Sequence, residues 1–477
     1  MGRLHRGRSS SSIVVAESGA AFVVAAALAV AGCAQAAPGA RNAADTHEAP
    51  PPHLGAGGPG DRPEHTDPLP DPSASGEVSL GGILAYADRY SPVLAVARST
   101  RSRAEAARVA ASILLPTNPE VTVAAGPRFG ASGRGIDVTV TLMQQIQVAG
   151  ERGLRIDAAD RLRDITDAEI EQMRWAVHCD VHEAFHRALV ERDLLRLAER
   201  VVTFQQEVLL VVQRQIAAGE TAPLALRLAQ AEVAQAQQDL VAAQQAFLVS
   251  RIRLAQLSGW PAAAPPMPNG TADAPQDPPP VDFLAALARE RLPSLRAAAL
   301  RIREAEARAD LADREAWPRP SVGLQYSREG TLASEGLVES VLGIVSIPIP
   351  SFQTNQGERA LARADATVAQ AELGAAQQLL DGQIAQARSE VVAAAQRART
   401  YGTEILPRFE ENLTLLRRSF ELGEIDILAL SAGLERFLRI QSDALGAQQD
   451  YFVALAALER VVGAELGPNG HIEENSP

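Results

Sequence analysis

The stretch PRPSVGLQYSREGTLASEGLVESVLGIVSIPIPSFQTNQGER, residues 318–359, decides the fold. Val322, Leu324 and Tyr326 alternate with Gly323, Gln325 and Ser327, the period of two that gives a strand two unlike faces. After a loop rich in Gly, Ser and Glu comes an apolar run from Leu337 to Ile349, interrupted by Glu339 and Ser340. Pro348, Pro350, Asn355 and Gly357 close that second strand as turn residues. From Glu358 to Pro407 the chain is dominated by Ala, Gln, Leu, Glu and Arg, which are good helix formers.

Working outward, the same unit recurs upstream. Asn118 to Val123 reads as a strand, Ile136, Val138, Val140 and Leu142 alternate with Asp137, Thr139 and Thr141, and Gly150-Glu151-Arg152 opens a long helix as Gly357-Glu358-Arg359 does. A single helix is predicted before each unit, over about Leu80–Leu114 and Val281–Ala316. At an offset of 201, Pro92, Leu94, Ala97 and Ala104 face Pro293, Leu295, Ala298 and Ala305; at 204, Gly219-Glu220 faces Gly423-Glu424. The chain is therefore one duplicated architecture rather than a string of unrelated domains. Helices over Glu151–Ala218 and Pro223–Ser258 would extend roughly 100 and 50 Å. The second pair is predicted over Glu358–Leu422 and Ile427–Glu465, with a kink near Pro407. Leu434, Leu438, Leu445, Phe452 and Leu455 form a seam at coiled-coil spacing. Helices of this length need lateral neighbours.

Composition narrows the function. The formal charge of −13 and the absence of a basic cluster argue against nucleic-acid binding. Aromatics at 4% suit Ala-rich helix packing better than a large globular core, and two cysteines make a disulfide framework improbable. No phosphate-binding Gly loop, nucleophile elbow or ~20-residue apolar helix is present, so no nucleotide-driven chemistry is read into the chain.

The N-terminal region reads as an export signal over 1–33, with Arg3, Arg6 and Arg8 before an apolar segment from Ala20 to Ala31. Val30-Ala31-Gly32-Cys33 resembles the lipobox of bacterial lipoproteins, which implies a covalent lipid on Cys33 and no other cofactor. Residues 34–77 form a Pro/Gly/Ala-rich flexible tether, 78–258 the first repeat, 259–280 a Pro-rich connector, 281–466 the second repeat and 467–477 a polar tail.

One motif points to a different chemistry. His182-Glu183-Ala184-Phe185-His186 fits H-E-x-x-H, the zinc-hydrolase pattern of two imidazoles on one helix face beside a general base. His178, His182 and His186 share that face as weak metal candidates. No third ligand follows before His471, and the helical pattern runs on past the motif. The corresponding second-copy residues are Val392, Ala393 and Gln396. The reading is therefore not an enzyme, with ordinary helix surface preferred for these residues. A structural envelope coiled coil, the other alternative, leaves the four alternating strands unexplained.

Four short strands flanked by long antiparallel helices, twice over, resemble the TolC-type outer-membrane efflux channels across residues 78–466. Asn118-Pro119-Glu120, the run from Gln144 to Gly150 and Ile347-Pro348-Ile349-Pro350-Ser351-Phe352 are similar to the heavy-metal (Czc-type) branch, although Glu151 stands where that branch usually has Lys. The resemblance implies a mainly α fold with a small transmembrane β part. Three subunits would each give four strands to one shared barrel above a periplasmic helical tunnel. Physics agrees, because four strands cannot close alone and open edges are not tolerated in lipid. Ile136, Val138, Val140, Leu142, Val322, Leu324 and Tyr326 would then face lipid, with outer loops at Pro127–Gly135 and Glu329–Gly336. The implied role is an outer-membrane duct that passively conducts metal ions or drugs from an inner-membrane pump and a periplasmic adaptor. Asp426 becomes a periplasmic gate candidate, and Gly219, Glu220, Gly423 and Glu424 the adaptor-contact tips. The competing role for Asp426 is a helix N-cap.

Overall fold

The computed structural model describes residues 70, 77–130, 133–219, 221–271, 274–329 and 338–466. Cys33, the export signal, most of the tether, Glu220 and the polar tail lie outside the described residues.

In chain order the elements are β1 (Glu77–Val78), α1 (Leu80–Tyr90), α2 (Pro92–Ser99), α3 (Arg101–Ser112), β2 (Glu120–Gly130), β3 (Gly133–Gln145), α4 (Glu151–Ala217), α5 (Pro223–Ser258), β4 (Met267–Pro268), α6 (Val281–Arg291), α7 (Pro293–Arg314), β5 (Ser321–Glu329) and β6 (Val338–Ser346). The second long helix follows as α8 (Gln356–Thr400), a π-helical turn (Tyr401–Ile405) and α9 (Leu406–Glu421), and α10 (Ile427–Val462) returns.

The expected first helix over Leu80–Leu114 is three helices. Ser91 adopts ψ 127°, as the residue before a proline must, and Pro92 restarts the helix at its first position. The second break has another cause. The hydroxyls of Ser99, Thr100 and Ser102 donate to the carbonyls of Val96, Ala97 and Ser99, competing with the helical ladder. The counterpart over Val281–Ala316 splits once, before Pro293.

The kink expected near Pro407 is a π turn that lengthens the helical loop just ahead of it, one of the usual ways to accommodate a proline that lacks an N–H and crowds the preceding turn. Of the predicted seam on α10, Leu434 and Phe452 are buried, whereas Leu438, Leu445 and Leu455 are half-buried. The helix ends at Val462 rather than Glu465, with Gly463 at φ 78° donating its N–H to the Glu459 carbonyl. A side chain at Gly463 would come within 2.7 Å of Leu292 Cα, so the cap and the break before Pro293 are built together.

The main sheet is antiparallel in the order β2-β3-β5-β6, which joins the two copies through the β3–β5 pair and leaves β2 and β6 as open edges. Pairing of β2 with β3 continues to Gly130 and Gly133, so the loop expected over Pro127–Gly135 is mostly strand. Of the other expected loop, Glu329 pairs with Val338 and the remainder lies outside the described residues. On one side of the molecule's middle, α3, α4, α7 and α8 lie side by side; on the other, α5, α4, α10 and the α8–α9 rod do. Core clusters sit around α6, α8 and α10, around α1, α4 and Trp260, and near the far end of the helices around Val212, Phe420 and Leu430.

Candidate functional site

Cross-strand partners share a face of a sheet, and the register sorts β2, β3 and β5 into an apolar and a polar face, whereas β6 adds Val338, Leu342 and Ile344 to the polar one. Val123, Val140, Tyr326 and Val341 lie in one row, and Val121, Leu142, Leu324 and Val322 in flanking positions of the same face. All seven apolar residues singled out on β3 and β5 (Ile136, Val138, Val140, Leu142, Val322, Leu324 and Tyr326) are on it. None of the described residues covers it: Ile136 is 70% exposed and Leu324 58%. The opposite face carries Thr122, Thr139, Thr141, Gln325 and Ser327, with the Ser327 and Ser340 hydroxyls 2.7 Å apart.

At the hairpin end of the polar face, the Arg128 guanidinium donates to Asp137 Oδ2 at 2.8 Å and also pairs with Glu329. The sequence reading missed this cluster because Arg128 falls in the segment assigned to a loop. At the same end of the apolar face, Arg328 and Glu339 lie 3.9 Å apart, so charge bounds the apolar band there.

Where sheet meets helices, the chain turns sharply. Gly150 is at φ 81° and Asn355 at φ 56°, the left-handed region that Gly and Asn tolerate best. Glu151, first residue of α4, is fully buried. One carboxylate oxygen accepts from Ala149 N at 3.0 Å and the other stands 3.8 Å from Arg319 Nε. In the second copy Asp313 accepts from Arg359 at 2.6 Å and from Arg363 at 2.9 Å; these guanidinium bonds hold its carboxyl below the usual range.

At the far end, α4 turns into α5 at Gly219 (φ 76°) and α9 into α10 at Gly423 (φ 73°), the left-handed ends expected of both turns. Glu424 and Asp426 are exposed. Asp426 Oδ1 accepts from Ala429 N at 2.9 Å, so the gate candidate is also the N-cap of α10. The two tips are tied together by Arg417, 2.8 Å from Glu207 and stacked 5.7 Å over Phe204.

The histidine row is not helix surface, which corrects the sequence reading. His182 and His186 are buried, and His178 Nε2 stands 2.5 Å from Glu465 Oε1. His186 stacks on Phe452 of α10 at 3.8 Å between ring centroids, and His182 Nδ1 is 3.9 Å from Glu459 Oε2. The faces of a 67-residue helix are chosen by its neighbours, and α10 lies over this one. Burial lowers the His182 pKa to about 4 and the His186 pKa to about 3, with each nearer imidazole adding to the effect. Burial likewise pushes the Cys179 thiol well above its usual range. Among the described residues no group of three or more His, Cys, Asp or Glu side chains is arranged to hold a metal, and no helix is long and apolar enough to cross a membrane.

Comparison with known proteins places this geometry. The family model described as "Outer membrane efflux protein" matches residues 87–260 and 284–464. The cobalt-zinc-cadmium resistance protein CzcC of Cupriavidus metallidurans is 26% identical over 321 residues, 67% of this chain and 75% of that protein. Among solved structures, CusC superposes with a TM-score of 0.65 at 15% identity, over 80% of this chain and 92% of that one. VceC from Vibrio cholerae gives 0.61 at 15% identity, over 81% and 96%. The last two likenesses concern the fold.

Proposed function

The chain belongs to the outer membrane efflux protein family, and from that premise we propose that it works as a homotrimer whose three four-stranded sheets close one barrel in the outer membrane. It is an outer-membrane efflux channel. One observation carries the trimer: a four-stranded sheet with an exposed apolar face, a mixed face that is polar on three of its strands, and two unpaired edges. Such edges are not tolerated in lipid and such a face is not tolerated in water. The apolar rows then meet lipid, the Thr/Ser/Gln rows and the Arg128 cluster line the lumen, and the helices continue the duct into the periplasm.

A periplasmic adaptor meets the tips at Gly219, Glu220, Gly423 and Glu424, and an inner-membrane pump supplies the driving force. Lipid on Cys33 adds a second attachment to the membrane. The cargo we favour is divalent transition-metal ions, on the similarity to CzcC. Three exposed Asp426 side chains around a threefold axis favour cations at the periplasmic end, and the capping bond to Ala429 holds each carboxylate in place. A hydrolytic role for the H-E-x-x-H stretch is not part of this reading: His182 and His186 are buried and His186 stacks on Phe452 of α10, which leaves neither ring open to a substrate.

The test is planar-bilayer conductance of the purified full chain, with the oligomeric mass measured on the same sample. A conducting trimer is expected; a non-conducting monomer overturns the proposal. The cargo is tested separately, by cobalt, zinc and cadmium tolerance of cells that keep the cognate pump and adaptor but lack this chain. Tolerance restored by the chain supports metal export; unchanged tolerance despite a conducting trimer removes the metal and keeps the duct.

A further inference from the structure

We infer that the segment Ile347–Phe352, between β6 and α8, is a lipid anchor that docks into the inner leaflet of the outer membrane. This deepens the barrel reading above and rests on it. Ile347, Ile349 and Phe352 are 60%, 83% and 88% exposed, the last two being among the most exposed large apolar side chains described. Pro348 and Pro350 flank Ile349 and keep Ile347 and Ile349 out of helix, since each proline excludes helix from the residue before it; the chain then turns at Pro350, where Ser351 N donates to the Ile349 carbonyl at 2.9 Å. Among the described residues, none buries these side chains.

The length of the apolar band says what covers them. Barrels of this kind carry an outward apolar band about 25 Å tall on strands tilted about 40°. On β6 the apolar row spans Val341 to Val345, four steps of about 3.3 Å, which is only about 10 Å of height at that tilt. It cannot be lengthened outward, because Glu339 and its cross-strand partner Arg328 occupy the next positions of that face. Inward, the sequence keeps the period of two through Ile347 and Ile349, and the row Val341–Ile349 rises about 20 Å. An aromatic pair marks where the band ends. Trp317, just before β5, is 56% exposed, and Phe352 stands just after β6, the strand paired with β5. Exposed aromatics at the sheet–helix junctions of two paired strands are residues suited to a membrane interface. The charges nearby are turned away: Arg319 is held by Glu315 at 3.0 Å and lies 3.8 Å from buried Glu151.

The full chain is reconstituted into phospholipid vesicles with a nitroxide on Ile349→Cys, on Phe352→Cys or, as reference, on Val345→Cys; buried Cys179 stays unlabelled. Collision with dissolved oxygen, which partitions into acyl chains, is compared with collision with a water-soluble nickel chelate. Oxygen is expected to dominate at 345 and 349, with the balance shifting toward nickel at 352. If 345 is oxygen-dominated while 349 is nickel-dominated, or is shielded from both reagents, the segment faces water or a neighbouring protein, and the anchor is overturned while the barrel stands. If 345 is itself nickel-dominated, the lipid-facing assignment of the sheet fails and takes the anchor with it.

Discussion

The two long helical rods of the duplicated chain begin alike and end alike but differ in the middle. Each starts from a left-handed residue beneath the sheet, Gly150 or Asn355, and each ends at a left-handed glycine, Gly219 or Gly423. Between them, α4 runs unbroken for 67 residues, whereas its counterpart is interrupted by the π turn at Tyr401–Ile405. Their buried stripes differ too. The first carries His182, His186, Phe185 and Leu189, the second Leu380, Ile384, Val391 and Ala395. Local chemistry at the ends fixes where the chain must turn, and duplication kept it. The middle is set by lateral packing, which accepts different side chains and even a different helical pitch. The second rod below its π turn buries only Phe420 along α9, so it is the less constrained of the two walls and the one suited to move.

The sharpest way to break this contrast is to exchange the interruption. At the offset of 204, Thr203 of α4 corresponds to Pro407. Thr203→Pro removes a hydrogen bond and sets the ring against the Glu199 carbonyl, with no π turn prepared for it. The expected loss is about 3 kcal/mol or more, read as a lower denaturation midpoint of the purified protein. The reverse change, Pro407→Ala, restores a donor where a widened turn already exists. It is expected to slow hydrogen exchange over 401–407 and leave the midpoint within about 1 kcal/mol of the parent. If Thr203→Pro is as mild as Pro407→Ala, α4 is no more rigid than its counterpart.

Acid tests the difference between the buried stripes. His182 and His186 titrate at about 4 and about 3 in the folded protein, against about 6.5 in an unfolded chain. Between those values the unfolded state binds more protons, so stability is full above pH 6.5 and falls as pH drops through 6 toward 4. Of the groups that face the row, Glu465, just past the end of α10, favours the protonated imidazole and so moderates the loss; on α10 itself Glu459 lies near His182, and Arg460 is engaged by Asp180 on α4. For His182 alone the loss is on the order of 3 kcal/mol. The denaturation midpoint should fall between pH 7 and pH 4.5, and the slope should flatten in His182→Leu/His186→Phe, which makes the first stripe resemble the second. An equal slope in that double variant would place the acid sensitivity elsewhere.

How far the sequence could carry this picture follows from the range of the interactions. The strands were legible because alternation is a local signal, and the π turn was half legible because Pro407 announces a break without naming its form. The three-way split of α1–α3 was not, although Pro92 and the Ser99–Ser102 run stand in plain view. A single helix over Leu80–Leu114 ignores them, while the backbone answers to a missing donor at Pro92 and to hydroxyl competition at Ser99–Ser102. Burial of the histidines and of Glu151 was out of reach. Which face of a long helix is covered depends on α10, hundreds of residues away. The Arg128–Asp137–Glu329 cluster needed the hairpin register, which a misplaced loop boundary hid.

The smallest effect separates two roles that one residue holds at the second tip. Asp426 caps α10 through Ala429 N and carries an exposed negative charge at the turn. Asn is as good an N-cap as Asp, and Ala is a poor one. Asp426→Asn therefore keeps the cap and discards the charge, at a cost of a few tenths of a kcal/mol, whereas Asp426→Ala loses both for about 1 kcal/mol. If the charge acts on passing ions, both variants lose cation preference equally in bilayer recordings, and only Ala loosens the start of α10 in hydrogen exchange. If the preference survives in Asn and is lost in Ala, the residue serves the duct by holding its helix end, not by its field. The corresponding turn of the first copy begins α5 with Pro223 after Ala222 and has no side-chain cap. Of the two tips, only the second carries charge and cap on a single residue.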